Sequence, residues 1–415
     1  MPVSGQYHRP MATIVGDVAV EAADSPATGC AGRRPPAGGT PFGSLPACPH
    51  PLRHPFRAAA WLVSLVVGLA SLVLLLSILA AIPLANVLAL GYMLEGEGRV
   101  VRSGRLGDGV PLLGGLPRLG AVVSGTWAWL LVVRWVAWMA ADAALVDPGG
   151  ATARRWAVAR VVVAAVVGLH VLLAWRAGGS LPAFIRPIRN LRYLHAEWRA
   201  GRVWSGAADA IADVIAALRP LRLFGLGLGG FVGAFLWLVI PTLLFSALRD
   251  TQHPAAVLVT LVGGLLLLVV LQWVPLMQAR FAAEGRLAAF REVAAVRELH
   301  RRAPILLLGA LVLLYGLSLP LFLFKVVAAP RDAVLFLTPI FVVTIFPARL
   351  ALAWAIARAA RRPQRRWLAV RLACTAVVTA ALALWLFLLF FTPAIGAHGR
   401  RVLLDHHALL LPTPF

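Results

Sequence analysis

Apolar residues in this chain fall in long unbroken runs, without the alternation of a half-buried strand or the single stripe of a helix on a soluble surface. Eight such runs cover approximately residues 58–82, 119–145, 157–175, 222–247, 255–279, 304–328, 333–357 and 368–391. A helix rises 1.5 Å per residue, so roughly 20 apolar residues cross a hydrocarbon core about 30 Å thick. In lipid a helix is the open-ended form that satisfies its own backbone groups. The pattern therefore predicts an all-α fold, a polytopic transmembrane helix bundle of about eight spans. Residues 57–392 form this domain, residues 1–56 a Pro/Gly/Ala-rich disordered tail, and residues 393–415 a short C-terminal tail.

The connections have a pattern of their own. Four runs meet a proline at Ile82-Pro83, Leu181-Pro182, Val274-Pro275 and Phe346-Pro347, then continue into basic patches. Those patches read Glu97-Gly98-Arg99, Ala200-Gly201-Arg202, Glu284-Gly285-Arg286 and Ala357-Arg358. Two readings stay open: a loose repeat of helical hairpins, or the likeness of any amphipathic membrane exits. Phe184, Leu191, Leu194 and Trp198 fall on one stripe of a 3.6-residue helix flanked by Arg189, Arg192 and Arg199. Residues 286–302 behave likewise. Both segments suit helices lying in the headgroup layer or capping the bundle.

Composition narrows the class. With 60% hydrophobic and 13% charged residues, the chain is not an ordinary soluble domain, and three cysteines make no disulfide scaffold. Basic side chains number 39 against 17 acidic ones, and all but Lys325 are Arg, a skew that GC-rich coding produces. The arginines lie between apolar runs, so the membrane surface suits them better than nucleic acid. The connections after spans 1, 3, 5 and 7 hold 24 Arg, those after spans 2, 4 and 6 only five Lys or Arg. Basic residues near span ends stay on the cytoplasmic side. The expected place is thus a plasma membrane, with basic loops cytoplasmic and both termini outside. The basic N-terminal tail fits this threading if it is translocated. Otherwise the first apolar stretch, which extends to about Leu94, enters and leaves on one face. No secretory signal peptide is expected, because no apolar h-region precedes a cleavage site.

Three segments carry a resemblance: GYMLEGEGRVVRSGRLGDG from Gly91 to Gly109, QARFAAEGRLAAFREV from Gln278 to Val293, and the ending HHALLLPTPF. Together the chain resembles a family of uncharacterised bacterial multi-pass membrane proteins. The likeness implies an inner-membrane helical protein and transfers no activity and no functional residue.

Polar groups inside spans are the usual pointer to function, since a central Arg or Asp costs about 2.5–3.5 kcal/mol on insertion. Arg134 sits mid-span among Trp127 and Trp138, His170 lies deep in span 3, and Arg349 follows Pro347 by two residues. All three are candidates to line a cavity. Candidate lipid-headgroup contacts are Arg186, Arg189, Arg192, Arg199, Arg297, Arg301 and Arg302. The spans hold no Asp or Glu well inside, which disfavours proton- or sodium-coupled transport. No catalytic set converges, and Asp405-His406-His407 stands alone. Cys30, Cys48, His50 and His54 fit no metal spacing, so neither metal nor cofactor is expected. Gly225, Gly229 and Gly233 allow close approach of another helix, from this chain or a second copy. The leading expectation is a non-enzymatic protein that organises anionic membrane lipids or partner proteins through its basic helices. The alternative is a transporter or channel for an anionic or amphiphilic solute, using Arg134.

Overall fold

The computed structural model describes residues 48–111, 113–201, 216, 219–247, 253–326, 334–391, 406, 409 and 410. The described residues contain helices and no strand. In chain order these are α1 (Pro55–Ala81), α2 (Ala85–Ser103), α3 (Leu116–Val146), α4 (Ala151–Arg176), α5 (Leu181–Ile185) and α6 (Pro187–Arg199). There follow α7 (Pro220–Phe245), α8 (Ala255–Glu284), α9 (Val293–Arg302), α10 (Pro304–Val326), α11 (Val334–Ala360) and α12 (Leu368–Phe391). Among the described residues, seven helices are long and apolar enough to cross a membrane. An eighth crossing results if the pair Val293–Arg302 and Pro304–Pro320, bent by 110°, counts as one. The bend falls where it must, because Ala303 precedes a proline and is driven out of the helical region, to φ −139° and ψ 56°.

The described residues fall into two units, one within Leu76–Pro111 and Pro220–Phe415, the other within Ala37–Leu75 and Leu112–Arg219. In the first, α2 packs against α7, α8 and α11. Glycine makes these approaches possible. A Cβ on Gly91 would overlap the carbonyl oxygen of Leu223, one on Gly227 that of Val87, and one on Gly98 that of Ala282. Backbones this close gain dispersion contacts where the hydrophobic effect gives no help between helices in lipid.

The prolines divide into two kinds. Pro83 follows the end of α1, and Leu84 beyond it takes φ 66°. Pro275 and Pro347 lie inside continuous helices. The bond that Pro275 deletes is replaced: Leu271, four residues earlier, has its carbonyl free, and the Tyr315 hydroxyl donates to it at 2.6 Å. Ser318 then donates to the Tyr315 carbonyl at 2.6 Å, and the Trp385 indole donates to Ser318 at 3.1 Å. One backbone defect thus fixes α8, α10 and α12 together.

The hairpin likeness survives in a shifted register. Helices α2 and α8 each end at a left-handed glycine, Gly104 (φ 72°) and Gly285 (φ 71°). Each is followed by an extended arginine, Arg105 and Arg286, and a 3-10 turn opening at Leu106 or Leu287. Gly201, beyond α6, shares the conformation at φ 65°. Gly98, which the sequence equates with Gly285, is helical instead, because its missing side chain serves the crossing with α8.

Candidate functional site

A buried polar node lies in the first unit, between α2, α7, α8 and α11. Arg349 donates from Nε (3.2 Å) and Nη2 (2.8 Å) to one carboxylate oxygen of Glu97. Its Nη2 also donates to the Gln278 side-chain oxygen at 3.1 Å. Gln278 in turn donates to the carbonyls of Gly230 (3.0 Å) and Leu409 (2.9 Å). Glu97 and Gln278 stand seven residues before Gly104 and Gly285, so equivalent positions of two like helix ends hold one guanidinium between them. Burial pushes the Glu97 carboxyl above the usual carboxylate range while Arg349 pulls against it. Three residues near the C-terminus are described and are buried. His406 is buried and shares a 2.9 Å hydrogen bond with Thr242, and Leu409 and Leu410 are buried beside it in sequence.

Around this node the basic helix ends gather. Glu95 takes Arg99 at 3.0 Å and Arg222 at 3.2 Å. Glu284 and Glu292 share Arg280 at 2.8 and 2.5 Å, and Glu298 takes Arg302 at 3.2 Å, Arg301 at 3.6 Å and Arg365 at 2.9 Å. Arg102 donates to the Ala283 carbonyl at 2.9 Å and Arg361 to that of Ser103 at 2.6 Å. These contacts place the C-terminal ends of α2, α8 and α11, the N-terminal end of α7, and α9 at one end of the unit. Of the candidates here, Arg301 and Arg302 are held by Glu298, whereas Arg297 is exposed and has no polar partner among the described residues.

In the second unit the break between α5 and α6 decides what α6 presents. Pro187 offers no N–H and interrupts the helix, so carbonyls of the preceding turn lack helical donors. Side chains supply them. Trp129 Nε1 and His170 Nε2 donate to Phe184 at 3.0 and 2.9 Å, and Asn190 donates to Ala183 at 2.7 Å. With Arg176 and Glu197 3.7 Å apart, these bonds hold one side of α6 to the unit. Its other side shows Arg186, Arg189, Arg192 and Arg199, all exposed, together with Ile188 and Trp198, exposed by 67% and 74%. The stripe read from the sequence divides accordingly, Phe184 being buried, Leu194 half-buried, and Leu191 and Trp198 exposed.

Of the three cavity-lining candidates, Arg134 and His170 lie in the second unit and Arg349 in the first. Arg134 is exposed on α3, as are Leu130, Trp127 and Trp138 on the same helix. His170 is buried, edge-on to Trp129 with ring centroids 4.7 Å apart, and is occupied in mending the α5 break. Arg349 is buried in its ion pair with Glu97. Among the glycines, Gly229 and Gly233 receive the rings of Phe281 and Phe290 from this chain, and a Cβ on Gly225 would meet nothing within 4 Å. The close helix approach runs instead through Gly227 and Gly91. Of the tail residues, Cys30 and His407 lie outside those described, as do Asp405 and residues 202–215.

Sequence reasoning missed Glu97. It lies in a stretch that reads as the polar exit of the first span, yet α2 is a separate helix with most of its residues buried. The signal was present, because the apolar run from Val87 to Leu94 continues past Pro83 and reaches the two glutamates without a turn residue other than glycine.

No family model, no curated protein and no solved structure matches the chain. The likeness carried by Gly91–Gly109, Gln278–Val293 and the ending HHALLLPTPF thus rests on those segments alone.

Proposed function

We propose that this chain is a non-enzymatic protein of a bacterial inner membrane, with its basic ends cytoplasmic, that gathers anionic lipid through those ends. One observation carries the reading: the free side of α6, with Arg186 immediately before it, combines four exposed arginines with exposed Ile188, Leu191 and Trp198. A surface that is both greasy and cationic suits the boundary between acyl chains and anionic headgroups, where each basic residue contributes about 1 kcal/mol. A cap packed on its own bundle would bury those apolar side chains. Passage of an anionic solute finds less support, since Arg134 is exposed and His170 and Arg349 are engaged by protein groups.

The test uses the full chain in nanodiscs of phosphatidylcholine alone or mixed with phosphatidylglycerol. Hydrogen exchange over residues 185–199 should slow in the anionic discs. The change should vanish when Arg186, Arg189, Arg192 and Arg199 are all replaced by Gln. Equal exchange of the unaltered protein in both discs would remove the proposal.

A further inference from the structure

Between α7, α8 and α9 the first unit has an open groove of about 380 Å³, within the range of small-ligand sites. Its walls include Trp237, Val269, Trp273, Met277 and Val293, and its one charged wall residue is Arg297. The indoles are fixed: Trp237 donates to the Phe290 carbonyl at 3.1 Å, and Trp273 stands edge-on to His300 at 5.8 Å. We propose that this groove binds one anionic phospholipid, an acyl chain along the indole and aliphatic walls and the phosphate on Arg297. The inference deepens the lipid-gathering reading and rests on it for the charge of the lipid.

Two observations select that occupant. Val269 and Trp273 lie within a helix long enough to cross a membrane, where the abundant apolar molecule is lipid. Arg297 is exposed and has no polar partner among the described residues, while Arg301 and Arg302 on the same short helix pair with Glu298. A phosphate at the α9 end of the groove, with its chain on the indoles, meets the unpaired Arg297 and the apolar wall.

Native mass spectrometry of the full-length protein, delipidated in neutral detergent and then supplied with single lipids, tests this. The protein should retain one phosphatidylglycerol and release phosphatidylcholine. Arg297→Ala should lower retention about fivefold, the factor of one basic side chain at an anionic surface. Val269→Trp, which places an indole in the groove from an exposed wall position and leaves every charge in place, should lower it too. Retention unchanged in both variants, or equal for the two lipids, overturns the proposal. So does protection of Arg297 from a guanidinium-modifying reagent by inorganic phosphate as complete as that by the lipid, which would make this a soluble-anion site. The variant with Gln at Arg186, Arg189, Arg192 and Arg199 separates the two readings. Arg297-dependent retention that persists in it, with anionic slowing of α6 exchange absent from the unaltered protein, upholds the groove and removes the gathering role. The converse result removes the groove alone.

Discussion

Arg349 and Glu97 stand 252 residues apart in sequence and 2.8 Å apart in space, with side chains 3% and 1% exposed. Their contact joins α11 to α2. Isolating either charge in such a place is far costlier than replacing both, because the remaining ion keeps its desolvation penalty and loses its partner.

Arg349→Met should therefore destabilise the protein by about 3–5 kcal/mol near pH 8. Burial already raises the Glu97 carboxyl, and without Arg349 nothing opposes it. A carboxyl raised in the folded state gives stability that is fully present below its unfolded pKa, near 4.3, and lost as pH rises through the folded value. Arg349→Met should accordingly melt at higher temperature at pH 5 than at pH 8, and adding Glu97→Gln should abolish that difference. A melting curve of Arg349→Met that does not depend on pH would contradict the assignment.

Tyr315 and Pro275 make a second coupled pair. Tyr315→Phe strands the buried Leu271 carbonyl and should cost about 1–3 kcal/mol. In a Pro275→Ala background the chain supplies its own N–H to that carbonyl, so the same hydroxyl removal should cost much less. A double-mutant cycle on thermal or denaturant unfolding measures the difference, and strict additivity would show that the hydroxyl is not repairing the helix.

What the sequence made legible follows from the range of the forces involved. Runs such as Ala255–Val274 announce a helix because every residue faces the same apolar demand, and that demand is local. The exit of the first span was harder. Glu95, Glu97 and the glycines around them read as a polar connection, because the partner that makes Glu97 tolerable inside the unit, Arg349, belongs to a distant helix. The same holds for His170, whose role depends on a carbonyl fourteen residues further on, at Phe184, left open by the helix break before Pro187. The glycine motif was visible and its use was not. Nothing in Gly225, Gly229 and Gly233 shows that the neighbouring register, Gly227, meets Gly91.

That register gives a third prediction. Gly91→Ala drives a methyl into the Leu223 backbone and should cost about 1–3 kcal/mol, the penalty of overpacking where backbones cannot separate freely. Gly225→Ala meets open space and should be neutral or add up to about 1 kcal/mol through helix propensity. Melting temperatures in one detergent compare them, and equal effects would mean that α2 and α7 do not cross as described.

The threading of the second unit admits a direct check. Helix α4, Ala151–Arg176, has 26 residues, and at 1.5 Å each about 39 Å of length, enough to carry the chain through a core about 30 Å thick. Its N-terminal end follows the turn at Gly149, and its C-terminal end reaches Arg176, which is 3.7 Å from Glu197 on α6. The arginine excess lies at the second end, with Arg186, Arg189, Arg192 and Arg199. Basic residues resist translocation, so that end should be cytoplasmic and the turn at Gly149 outside. Single cysteines placed at Gly149 and Ala200 in intact cells should label oppositely with a membrane-impermeant maleimide, Gly149 reacting and Ala200 protected until the cells are opened. Labelling of both before lysis would mean that α4 does not cross, and α6 would lose the surface on which its arginines are proposed to act.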